Sequence, residues 1–344
     1  MVGMSAWWQS FRSSRFLPAT VIVGILTCAV ALFVGAYTYA TANPHPERIP
    51  IAVVGNLPPA QSVVVERELE TALDSSLEIC RVGDHASAVE LLDEQDVFAI
   101  ISVSTANHTV ALEVSSASGQ AVATLLEQEV PGVMRDAGYS TTVADANPLQ
   151  PGDPHGLTIF YMTIASVVVG FVGAVQLGVH ARELKPWERI AFTAAYALLG
   201  GFAVAAVVDW LLCALDLPFV ESWLIVSLTM FTCGMVFTMF SSLFGRWAMI
   251  PTWAVMILLG NPSSGGSVAW PLLPRTLATI GGWLPPGASV NAQHTAVYFN
   301  DHQHIWPFLV LAAWSLISVG VYLGRERVRG RPASDSVVVS DGAA

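Results

Sequence analysis

The sequence predicts a polytopic α-helical membrane protein with six transmembrane helices and a small α/β extracytoplasmic domain between the first and second. Three observations carry that class. The 344-residue chain is 53% hydrophobic and only 12% charged, about half the charge of an ordinary soluble domain. Six apolar segments divide it. Ten of its fifteen basic residues flank those segments on one side, while the acidic excess lies on the other. The first set is Arg12, Arg15, Arg182, Lys185, Arg189, Arg246, Arg325, Arg327, Arg329 and Arg331, and the second is Arg48, Arg67, Arg81, Arg135 and Arg275. Short cytoplasmic flanks retain Lys and Arg, so both termini, residues 1–16 and 325–344, are expected inside.

The first apolar segment, 17–40, follows Arg12 and Arg15. It exceeds the 7–15 apolar residues of a signal peptide, so an uncleaved span is expected, although Ala40-Thr41-Ala42 also fits a cleavage site. The next stretch, 41–156, carries 17 acids against 4 arginines. Its pattern predicts a strand at 51–54, a helix at 63–73 and a strand at 77–82. A helix at 86–92 follows the N-cap candidate Asp84, then strands at 97–103 and 109–114, then a helix from 118 to about 134 kinked near Pro131. Cys80 is the only cysteine of this domain, so no disulfide closes within it. The Pro-rich linkers 43–46 and 147–154 read as stiff stalks holding the module off the membrane. With no basic stripe to neutralise phosphates, nucleic acid is excluded as a partner.

The membrane part, 157–324, begins with spans at 157–180, 190–215 and 219–244. A fifth starts at 247 and is interrupted by Asn261-Pro262 after 14 residues, a reach of about 21 Å against a hydrocarbon core of about 30 Å. The last runs from 305 to 324 into an Arg-rich stop. Between these two lies 261–304, where short apolar pieces are broken by Gly and Pro. Asn261, Pro262, Ser263, Ser264, Gly265, Gly266, Trp283, Pro285 and Pro286 are expected in a re-entrant or interfacial pair of short helices lining an outer cavity. The alternative is an outer loop resting on the headgroups.

Chemistry of the enzyme kind is missing from the sequence. The only lysine, Lys185, lies between Leu184 and Pro186, so no phosphate-cradling loop exists, and neither Gly-x-Ser-x-Gly nor His-Glu-x-x-His occurs. No catalytic residue, resident cofactor or metal is expected. His294, Asp301, His302 and His304 have ligand chemistry, but a solvated loop before a span is the plainer reading. Asp209 and Glu221, the only ionisable residues within spans, are expected at the outer rim, against a proton- or sodium-driven carrier. Ser166, Gly170, Ala174 and Gly178 form a small-residue stripe, as do Ala197, Gly201 and Ala205, each fitted to a helix of this chain or of a second copy. The inner loop residues Arg182, Glu183, Lys185, Trp187, Glu188 and Arg189 suit a cytoplasmic docking partner, or equally a connector with Trp187 in the aromatic belt.

Gly260-Asn261-Pro262-Ser263-Ser264-Gly265-Gly266, Trp283-Leu284-Pro285-Pro286-Gly287-Ala288 and Ala296-Val297-Tyr298-Phe299 resemble the segment ahead of the last span in type-2 ABC exporter permeases. The resemblance is to the YhgE/Pip-like branch and its nitrosoguanidine-resistance relatives. It extends to the domain after the first span, where Ala88-Val89-Glu90-Leu91-Leu92 precedes the 97–103 strand. It implies a permease subunit in a bacterial plasma membrane, surrounded by lipid, working as a homo- or heterodimer with a second permease copy. A separate cytoplasmic ATPase, holding ATP and Mg, would dock at 181–189 and drive an amphipathic or lipid-like substrate outward. In place of the family's Glu-Gly-Thr-like coupling turn this chain has Arg182-Glu183-Leu184-Lys185-Pro186. The alternative is a non-transporting envelope protein whose outer domain binds an envelope polymer, a secretion component or a phage.

Overall fold

The computed structural model describes residues 16–41, 46, 48–54, 76–104 and 106–329. The helix expected over 63–73 lies outside them, as do Arg12, Arg15, Arg67, Arg331 and linker positions 43–45.

Among the described residues, five helices are long and apolar enough to cross a membrane. They are α1 (Leu17–Thr41), α4 (Thr158–His180), α5 (Pro186–Ala206, continued by a π turn to Leu211), α6 (Phe219–Phe244) and α10 (Trp306–Arg329). The sixth expected span falls short. Residues Met249–Leu259 form α7 (Met249–Trp253) and a π-helical turn, Ala254–Leu259. These 11 residues rise about 16 Å, half the hydrocarbon thickness. The wide i+5 hydrogen bonding already loosens the helix before Pro262, with no N–H to give, ends it. Two boundaries also move. Pro186 at the first helical position starts α5 before residue 190, with the Glu188 carboxylate accepting the Lys185 N–H at 2.8 Å. The last helix runs past 324 to Arg329, whose guanidinium donates to the Ser242 carbonyl at 2.8 Å.

The two small-residue stripes resolve within the chain. A methyl at Gly170 would lie 2.7 Å from the Met230 carbonyl of α6, and Gly201 lies against Ser227 of the same helix. Thus α4 and α5 both close on α6 through small residues. Three buried threonine hydroxyls of α6 are satisfied locally, since Thr229, Thr232 and Thr238 each donate to the carbonyl four residues earlier, whereas the buried Ser222 and Ser227 hydroxyls have no partner among the described residues.

The sheet domain contains β1 (Ile49–Val54), β2 (Leu77–Val82), α2 (His85–Asp93), β3 (Ala99–Ser104), β4 (Thr109–Val114), α3 (Gln120–Asp136) and β5 (Ser140–Asp145). The strand order is β2-β1-β3-β4-β5, with only the β3–β4 pair antiparallel. Asp84 caps α2 as expected, accepting the Ser87 N–H at 2.9 Å; that bond holds its carboxyl below the usual range. Period-two alternation divides β1 between two cores. Ile49, Ile51 and Val53 join Val122, Leu126, Val130 and Met134, the four-residue stripe of α3, which continues through Pro131. Ala52 and Val54 join Ala88 and Leu92 of α2 on the other face. β5 was not anticipated.

The 147–154 linker is no stalk. Gln150 and Asp216 exchange hydrogen bonds at 2.6 and 3.2 Å, and the Asp153 carboxylate caps the first turn of α4 through Leu157 and Thr158. From the membrane side, Leu272 enters the core of the sheet beside Val268 and Ala269. The sheet domain is therefore seated directly on the helices.

Candidate functional site

The stretch 261–304 is built from α8 (Arg275–Gly281), α9 (Pro285–Tyr298) and a 3-10 turn at Trp270–Leu272. It forms a pair of short helices, and most of α9 is buried within the protein. Two backbone approaches set its shape. Gly281 meets the Ser263 carbonyl so closely that no Cβ fits, and Gly287 meets the Gly281 carbonyl in the same way. Pro285 and Pro286 start α9 with residues that need no donor for the preceding turn. Further along, the Ser289 hydroxyl lies 2.8 Å from that of Thr229 and 3.4 Å from that of Thr163, tying α9 to α6 and α4. Trp283 is largely exposed; its carbonyl accepts the Trp314 indole N–H at 2.9 Å and its ring meets Trp306 edge-on at 4.7 Å.

Asn261, Pro262, Ser263 and Ser264 are buried, Gly265 takes φ 80 in the left-handed region, and Gly266 abuts Phe160. Ser263, Ser264 and Gly265 bound a cavity of about 380 Å³, together with Gly287, Asn291 and His294 of the helix pair. The sheet domain closes it with Gln95, Phe98 and Ser118, and Trp270, His304 and Trp306 complete the wall. Among the described residues no Asp, Glu, Lys or Arg lines it. Gln95 holds a left-handed backbone, φ 62, and its amide nitrogen is buried with no partner among the described residues. The Nε2 of His304 lies 3.0 Å from the Glu94 carbonyl and donates to it, which leaves Nδ1 as an acceptor.

The histidine group does not converge. His294 packs against the rings of Tyr298 and Phe299, Asp301 is exposed, and His304 is committed to Glu94. Among the described residues no group of three or more His, Cys, Asp or Glu is placed to hold a metal ion.

His294 is enclosed by protein, and its accessible surface faces the cavity. Burial pushes its pKa from 6.5 down to about 4, partly opposed by the Asp153 carboxylate. The fold thus favours the neutral ring. Its contribution is complete above pH 6.5 and is lost as pH falls from 6.5 towards 4, where the unfolded chain takes up a proton that the folded one refuses. The thermal unfolding midpoint is expected to drop between pH 7 and pH 5, and His294→Gln to flatten that slope; an unchanged slope in the variant would assign the drop to other groups.

The remaining candidate residues fall at the two ends of the bundle. Asp209, in the π turn of α5, and Glu221, in the first turn of α6, lie at the sheet-domain end. At the far end Arg182, Glu183, Lys185 and Trp187 are exposed. Glu188 and Arg189 are instead spent on local structure, the first capping α5 and the second donating to the Ala181 carbonyl at 3.2 Å. The sequence did not single out Gln95, Phe98, Ser118, Trp270 or Asn291. The available signal was Asn291 and Gln293, two amides beside His294 in a helix of mostly small residues.

No protein-family model, curated protein or solved structure matches this chain.

Proposed function

We propose that this chain is the membrane-spanning permease subunit of a bacterial exporter of the type-2 ABC class. It would move an amphipathic or lipid-like substrate outward, driven by a separate ATPase. The observation that carries the reading is the uncharged cavity between the re-entrant helix pair and the seated sheet domain, at the opposite end of the bundle from the exposed Arg182–Trp187 turn. A substrate leaving such a bundle needs an exit region shielded from lipid, and a motor needs an exposed handle at the far end. In this reading the basic end, with Arg246, Arg325, Arg327 and Arg329, is cytoplasmic, as are both termini. The short helix α7 together with residues 260–266 completes the sixth crossing, and the sheet domain is extracytoplasmic.

Supporting the coupling role, Arg182, Glu183, Lys185 and Trp187 are exposed, although Lys185 also supplies the N-cap of α5 through its backbone. The second reading, an envelope protein that transports nothing, draws on the same loop: Glu188 and Arg189 are already committed, and the coupling turn common in such permeases is replaced. Purification of the complex in mild detergent separates the two. A nucleotide-binding subunit is expected to copurify, and the double substitution R182A/W187A to release it and abolish nucleotide-dependent export. A chain that purifies alone, and whose activity survives that substitution, is not a permease of this kind.

A further inference from the structure

The chemistry of the cavity wall narrows what it holds. Its polar groups are neutral and of both hydrogen-bonding senses: the Asn291 amide offers both, the His304 Nδ1 an acceptor, and the Gln95 amide nitrogen, buried behind the wall without a partner among the described residues, a donor once its side chain turns inward. His294, held neutral by burial, adds no charge. A carboxylate or phosphate brings only acceptors and an ammonium only donors, and either would be buried without a counter-ion at a cost of several kcal/mol. A hydroxyl brings both senses and no charge. Around these groups stand the faces and edges of Phe98, Trp270 and Trp306, with Phe98 and Trp270 edge to face at 5.7 Å. Aromatic rings of this kind cover the C–H faces of a flat, polar ring while their neighbours bond its rim. The volume, 380 Å³, sits at the low end of the roughly 300–1,000 Å³ of small-molecule sites.

We infer that this cavity binds an uncharged, polyhydroxylated group, a sugar ring, with Gln95, Asn291 and His304 as its hydrogen-bonding partners and Trp270 and Trp306 as its apolar walls. The inference rests on the exporter reading only in taking the sugar as the polar head of the cargo; binding itself needs no ATPase. Trp270 and Trp306 are each about half exposed and stand where the cavity opens, so a sugar carried on an apolar tail enters head first with the tail left in lipid.

The test uses the full chain in lipid nanodiscs at pH 7.5, with binding followed by tryptophan fluorescence and calorimetry. The probes are methyl glucoside, methyl 6-amino-6-deoxyglucoside and methyl glucuronide, one ring in neutral, cationic and anionic form. Methyl glucoside is expected to bind saturably, and each charged congener about tenfold more weakly or worse. Gln95→Leu is expected to weaken methyl glucoside about tenfold without lowering the unfolding midpoint. Should Gln95→Leu fail to accumulate, Trp306→Ala, at the half-exposed mouth, serves as the second variant with the same expected loss. Absence of saturable methyl glucoside binding, equal binding of a charged congener, or unchanged affinity in the variants overturns the assignment. Failure of the exporter reading looks different: methyl glucoside still binds, but no nucleotide-binding subunit copurifies.

Discussion

Replacing Gly281 with alanine is expected to prevent the protein from accumulating in the membrane, while the same change at Gly282 next door leaves it intact. At Gly281 the added methyl would land on the Ser263 carbonyl, and two packed backbone segments leave nothing flexible to yield. The cost of such a collision is about 4 kcal/mol or more, near the whole margin of many folds. At Gly282 the nearest atom to the new methyl is the Thr279 carbonyl at 4.0 Å, an ordinary contact worth less than about 0.5 kcal/mol either way. Expression level and detergent unfolding midpoint for the two variants check this directly. Equal behaviour would mean that the approach of 281 to 263 is not a feature of the folded protein.

Gln293→Leu is expected to do the opposite and raise stability. Gln293 is 1% exposed, and neither atom of its amide has a partner among the described residues. Each buried, unpaired polar group costs roughly 1–3 kcal/mol, and leucine fills nearly the same space with none of that cost. A gain of about 2 kcal/mol, or roughly 5 °C in the unfolding midpoint, follows. Ser222 of α6, also buried with an unpaired hydroxyl, keeps its own penalty and is the natural second site. A fall in midpoint would instead mean that the amide holds a water or a bound molecule in the working protein, and the substitution should then also change activity.

What the sequence made legible follows from how each signal is encoded. The long apolar helices announce themselves through bulk hydropathy, so α1, α4, α6 and α10 stand close to their expected positions. Strands β1 to β4 carry apolar alternation, and Asp84 marks α2 by the hydrogen bond it must supply. β5 escaped because Ser-Thr-Thr-Val-Ala-Asp is polar on both faces: it is an edge strand, mostly exposed, held through its backbone pairing with β4. The shortfall at α7 was visible in the Asn261-Pro262 break, although the π-helical turn was not. Hydropathy misassigned the environment of Leu272, which looks like a membrane-surface residue in a Gly/Pro-rich stretch and is in fact core for the sheet. The cavity was half legible. Its glycines and prolines stand out by composition, but Gln95 and Phe98 belong to a domain that no local pattern brings to residues 263–294.

The entry of Leu272 among the sheet's buried side chains has a mechanical consequence. A lid lifts only if what it rests on can let go, and here the resting point is a side chain lodged inside the lid itself, flanked by Val268 and Ala269. Raising the sheet domain would drag the whole 268–273 strip along or tear open its interior. Access to the chamber beneath must therefore come from the side, past Trp270 and Trp306, with cap and strip staying together as one piece.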